Sequence, residues 1–240
     1  MTGAAFLAVL SILASPALAQ DISINLGQDA GLTERVIQLI ALITVLSLAP
    51  SILVMMTSFT RIVVVLSLLR TALGTGTAPP NAVIVALALF LTAFVMGPAF
   101  QNAYDAGIRP LMNNEITTQQ AFERASGPFK TFMLKNVREK DLGMFLELSR
   151  EPKPATPEDV SLRILIPAFM ISELKRAFEI GFLLFLPFLI IDLVVASVLM
   201  SMGMMMLPPV VVSLPFKLIF FVLVDGWSLV AGSLIQSYGI

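Results

Sequence analysis

The stretch VLMSMGMMMLPPVV, residues 198–211, places five methionines in seven positions, Met200, Met202, Met204, Met205 and Met206, and then runs into Pro208 and Pro209. On both sides the chain is oily. Residues 181–207 carry one charge, Asp192, and residues 208–240 carry only Lys217 and Asp225. A Pro-Pro pair stops a helix, so the two apolar runs read as a helical hairpin with the methionine joint at its tip. Methionine is unbranched, polarizable and able to repack around irregular shapes. Three uses fit that chemistry. Thioethers suit Cu(I), although no Cys or His is present to support such a site. The cluster also reads as plain apolar filler. Finally, several copies brought round an axis form a compliant apolar collar.

The same solvent logic holds for the whole chain. Of its 240 residues 57% are apolar and 13% charged, with a mean hydropathy of +0.91. This predicts an all-α membrane protein. The net charge of −1 gives no basic field to gather nucleic acid. Without cysteine or histidine there are no disulfides, thiolate chemistry or imidazole proton shuttles, and the usual zinc and haem ligands are missing. No nucleophile-base constellation, phosphate loop or metal motif stands out, so neither an enzyme nor a cofactor is expected.

Residues 1–19 read as a secretory signal peptide, with an apolar run, a breaker at Pro16 and small residues before a cleavage between Ala19 and Gln20. Its n-region lacks Lys and Arg. A mature N-terminal segment, 20–35, follows. Residues 36–60 are free of charge and long enough to cross a bilayer, with a kink expected at Pro50. After Arg61 comes a second apolar burst up to Arg70. GTGTAPPN, residues 74–81, then supplies a turn before another uncharged run over 82–104, so residues 36–104 read as a first helical hairpin.

Residues 105–163 hold nine acidic and nine basic side chains and must meet water. They read as a small helical insertion. Thr117 and Gln120 form a capping-box pattern, and Phe129, Phe132, Met133 and Val137 share one helix face that needs a partner. A proline-rich spacer follows, with Thr156 placed to cap a helix starting at Pro157. Residues 164–240 form the second hairpin. With the N-terminus outside, four crossings put the insertion outside and both tips in the cytoplasm. The charge bias at the tips comes from Arg61 and Arg70 alone.

Ionisable groups within apolar sequence each imply an interface or a wet cavity. Glu173 can face Arg176 at i+3 and Lys175 can face Glu179 at i+4. Asp192, Lys217 and Asp225 have no such local neighbours, which points to a subunit interface or a pathway. A secondary transporter with a proton route through Glu173, Asp192 and Asp225 is the alternative reading.

Residues 165–209, LIPAFMISELKRAFEIGFLLFLPFLIIDLVVASVLMSMGMMMLPP, with LPFKLIFFVLVDGW at 214–227 and MTSFTRIVVVLSLLRTALGTGTAPPN at 56–81, resemble the FliP/SctR family of type III secretion export-gate proteins. The signal and GTGTAPPN lean towards its flagellar branch. The resemblance implies a channel-forming subunit in a cone-like helical assembly, a pentameric ring with FliQ and FliR, near FlhB and FlhA, passing unfolded protein substrates. It implies a place in the bacterial inner membrane within the flagellar basal body, much of it raised towards the periplasm, so that the hairpins need not cross the bilayer. Met204, Met205 and Met206 match the family's constricting loop. Glu173 and Lys217 fall in its strongest motifs and are expected to pair between neighbouring chains.

Overall fold

The computed structural model describes residues 54–149, 154–204 and 206–239, together with helical positions 36, 37, 39, 40, 43, 44, 47 and 51. The chain divides into two compact units, Met1–Ser47 and Leu48–Ile240. In the first unit, Thr44 Oγ1 donates to the Ile40 carbonyl at 2.7 Å and Ser47 Oγ to the Thr44 carbonyl at 2.9 Å. Such back-bonds seat hydroxyls on an apolar helix. The expected cleavage between Ala19 and Gln20, and Pro50, lie outside the described residues.

The second unit is helical, with no strand among the described residues. Helix α1 spans Phe59–Leu73 and ends where Gly74 takes φ 75°, its N–H donating to the Thr71 carbonyl. A glycine adopts this left-handed cap without a Cβ penalty. Arg70 then ties the turn to the next helix, donating to Asn81 Oδ1 at 2.6 Å and to the Pro79 carbonyl at 3.1 Å. Helix α2 spans Asn81–Ala103 and continues through a π-helical turn, Tyr104–Ile108, into Arg109–Met112. The helix therefore runs past position 104, where the composition changes.

Helix α3, Thr118–Asn136, starts at the expected capping box: Gln120 N donates to Thr117 Oγ1, and Thr117 N to Gln120 Oε1. Helix α4 spans Glu139–Ser149. The apolar face of α3 finds its partner in Met56, Met96 and Ala103 on one side and Leu165 and Phe169 on the other. Thr156 caps less than the sequence suggested. Its N–H and hydroxyl both donate to Asp159 Oδ2, but they close only a 3-10 turn, Pro157–Asp159. Val160 and Ser161 are extended, which stops the turn before the next helix starts at Leu162.

That helix, α5, covers Leu162–Ser201 in 40 residues. Helices α6, Pro209–Leu223, and α7, Gly226–Gln236, make the return arm with a 63° bend between them. Asn81–Met112 and Leu162–Ser201 are long and apolar enough to cross a membrane, and α6 with α7 qualifies as one broken span. A second core joins Ile62, Val65, Leu66 and Leu69 of α1 to Ile84 and Ala88 of α2, Ala177 and Phe188 of α5, Phe221 of α6, and Val230 and Leu234 of α7.

Candidate functional site

Two places gather the residues that the sequence singles out: a buried polar belt where α1, α5 and the chain end meet, and the open methionine tip. At the belt, Arg61 and Glu173 form an ion pair with side-chain exposures of 1% and 0%. Arg61 Nε donates to Glu173 Oε2 at 2.9 Å and Nη2 donates to Oε1, a bidentate arrangement. The remaining valences are filled. Tyr238 Oη donates to Glu173 Oε2 at 2.5 Å, and Arg61 Nη1 donates to Ser237 Oγ at 2.9 Å. The guanidinium carbon lies 3.9 Å from the Tyr238 ring centroid, adding a cation–π contact. Burial first, and the Glu173 carboxylate second, push the Tyr238 phenol above its ordinary pKa and keep it a donor.

One residue earlier on α5, Ser172 extends the belt towards the charged insertion. Its hydroxyl accepts from Arg138 N at 3.0 Å and lies 2.7 Å from Asp141 Oδ2, to which it can donate. Ser172 and Glu173 thus fasten α4, α1 and the chain end to one level of α5. A second pair closes the other end of α1. Lys217 Nζ donates to Asp192 Oδ2 at 2.7 Å and to the Ala72 carbonyl at 3.2 Å, while Ser213 Oγ donates to Asp192 Oδ1 at 2.5 Å.

Glu173 and Lys217, the two residues expected to pair between neighbouring chains, both have counter-charges within the single chain. Packing of α1 and α6 against α5 gives each residue its counter-charge inside one chain, Arg61 and Asp192. Glu173 forms its ion pair with Arg61, which corrects the i+3 pairing with Arg176, whereas Lys175 and Glu179 do approach to 3.9 Å on the surface. Arg61 is a buried ligand of Glu173 on α1, well short of the tip to which the charge bias assigned it. Glu173 and Asp192 are 19 positions apart on α5, about 28 Å at the helical rise. Asp225 is exposed at the α6–α7 break, where its side chain caps nothing.

Sequence reasoning missed Arg61, Tyr238, Ser172 and Asp141 as members of the belt. Arg61 was open to detection, because a single charge between two apolar bursts calls for a buried partner.

At the tip, α5 stops in a Schellman arrangement: Gly203 takes φ 75°, its N–H donates to the Met200 carbonyl at 3.1 Å, and Met204 N donates to the Leu199 carbonyl at 3.0 Å. Pro209 then opens α6 as its first residue. Between these caps the methionines project outward. Met200, Met202 and Met204 are exposed and Met206 is 98% exposed, while Met205 lies outside the described residues. Behind them an apolar groove of about 500 Å³ runs between α5 and α6, lined by Ile190, Val194, Val198, Met202, Val212 and Phe216.

The FliP family model matches residues 42–234. The chain is 66% identical over 229 residues to the flagellar biosynthetic protein FliP of Caulobacter vibrioides, covering 95% of this chain and 86% of that protein. It is 53% identical over 217 residues to its namesake in Bacillus subtilis, covering 90% of this chain and 98% of the relative. With that of Rhizobium meliloti the identity is 49% over 236 residues, covering 98% and 96%. A family match over residues 42–234, with relatives 49–66% identical over most of the chain, establishes that the chain belongs to the FliP family of flagellar biosynthesis proteins.

Proposed function

We propose that the chain is a channel-forming core subunit of the flagellar type III protein export gate, in which the methionine tips of several copies converge as a seal. The observation that carries this reading is the tip itself: flexible apolar side chains, Met206 98% exposed among them, stand open at the end of a capped hairpin. Exposed apolar side chains in such number ask for a neighbour. A ring of copies, five by analogy with the family, supplies one and leaves a compliant opening on the axis. FliQ and FliR complete the cone in this reading, with FlhB and FlhA adjoining it. The polar insertion faces the periplasm. The chain performs no chemistry; it excludes ions at rest and yields to unfolded polypeptide.

Sealing needs apolar volume and rotamer freedom together. Substituting Met204, Met205 and Met206 by Ala removes the volume, so the variant assembles and exports but leaks ions. Substitution of all three by Leu keeps volume and stiffens the collar, so that variant stays tight and exports slowly. Membrane conductance and secretion of a flagellar substrate, measured side by side, test both. An assembled alanine variant as tight as the wild type removes the seal from this account.

A further inference from the structure

Of the charges at residues 181–240, Asp192 and Lys217 are settled within the chain and Asp225 is not. Arg61 holds Glu173 and Lys217 holds Asp192, whereas Asp225 makes no ion pair or side-chain hydrogen bond among the described residues. Its neighbours along the chain are mostly apolar, with Ser228 the exposed polar one. Val222, Leu223 and Leu229 are exposed around it, with Leu223 at 79%, and Val224 and Trp227 are partly so. A carboxylate in such surroundings is costly without a partner.

The backbone presents this carboxylate deliberately. Asp225 adopts φ 51° and ψ 50°, a left-handed conformation that non-glycine residues seldom take and that clusters at functional sites. The next position admits no side chain, because a Cβ on Gly226 falls 2.2 to 2.7 Å from the Phe221 ring. Phe221 in turn packs edge-on against Trp227, with centroids 5.4 Å apart, and tilts against Phe188 at 6.3 Å. An aromatic clasp thus fixes the 63° break and holds Asp225 at its outer corner.

We infer that the α6–α7 corner is a docking surface for a neighbouring subunit, and that the partner offers an apolar helix carrying a Lys or Arg that pairs with Asp225. The apolar rim excludes water, and the single acid sets the register of the incoming helix. Charge complementarity selects the cation: the corner carries one negative charge and nothing to neutralise it. This inference rests on the reading that the chain works within an oligomer. It does not depend on the methionine seal.

The test keeps the corner folded and removes only the charge. Asn tolerates the left-handed conformation as well as Asp does, so Asp225→Asn leaves the subunit at wild-type abundance. Recovery of the detergent-extracted hetero-oligomer falls about tenfold or more, as for loss of one member of a buried pair. A photo-crosslinking residue in place of Leu223, with Asp225 intact, identifies the partner by mass spectrometry of the adduct. The expected adduct lies on an apolar helix of another subunit within one turn of a Lys or Arg, and reversing that cation together with Asp225→Lys restores assembly in part. Wild-type recovery of the Asn variant overturns the inference. So do adducts confined to lipid or to the same chain, or to a partner helix without a basic residue. Absence of any oligomer in the wild type removes the export-gate reading itself, a distinct result from either of these.

Discussion

The two halves of α5 are made of similar apolar residues and meet opposite fates. In the first half Ile164, Leu165, Ala168, Phe169, Ser172, Glu173, Ala177 and Gly181 are buried, against α1, α3, α4 and the chain end. In the second half Phe188 and Leu199 are the buried residues, and Phe182, Leu183, Ile190, Leu193 and Val194 are exposed. One half is buried along a face by its own chain, with Ile171 and Phe178 left exposed. The other is left for lipid or for other chains, which is what a subunit of a membrane assembly requires. Polar chemistry follows the same division. The fully enclosed ion pair sits in the first half, the half-open Asp192 pair in the second, and the unpaired Asp225 opposite the second half.

The largest effect expected from this contrast is at the belt. Glu173→Ala leaves the Arg61 guanidinium enclosed without its carboxylate, which costs about 3 to 5 kcal/mol. The unfolding midpoint of the detergent-extracted protein measures it. Replacing both Arg61 and Glu173 by Met removes the stranded charge and recovers a large part of the loss. A double variant as unstable as the single one breaks the claim that the pair, and not the volume, holds this half together.

A smaller effect is expected in the open half. Lys217→Met deprives Asp192 of its cation, but Ser213 still donates to that carboxylate and solvent reaches it, since the Asp192 side chain is 28% exposed. The expected loss is about 1.5 to 3 kcal/mol, that of a hydrogen bond to a charged group. Equal losses at Glu173 and Lys217 erase the distinction between the two halves.

Packing gives the finest comparison. A Cβ on Gly181, where α5 lies against α1, falls 2.3 Å from Leu68 Cδ1 and 3.3 Å from Leu68 Cβ. Gly181→Ala therefore costs about 1 to 3 kcal/mol by overpacking. On α2, Gly97 has nothing within 4 Å of the same built atom. Gly97→Ala stabilises the helix by about 0.5 to 1 kcal/mol, the smallest effect expected here and of opposite sign. Both read out as shifts of the same unfolding midpoint.

Much of the fold was legible because its signals are local. GTGTAPPN marks a turn by residue type, and Thr117 and Gln120 mark a helix start by spacing. What escaped is set by contacts far apart in sequence. Arg61 and Glu173 are separated by 112 positions, and i+3 spacing offered Arg176 instead. The return arm read as one apolar segment, yet Asp225 and Gly226 form a turn dipeptide inside it, and the chain bends there by 63°. The belt around Tyr238 had no local signature. A tyrosine near a chain end announces nothing until Glu173 and Arg61 surround it.

The central claim is that exported polypeptide passes against the methionine tips. The chain has no cysteine, so Met206→Cys introduces a single thiol at a site 98% exposed at the tip. A flagellar substrate with one cysteine, stalled during export by a folded tail, then provides the partner. Disulfide formation between the stalled substrate and Met206→Cys, with none to a control Leu189→Cys on the exposed face of α5, is the predicted result. A stalled substrate that crosslinks elsewhere in the assembly and never to Met206→Cys contradicts it.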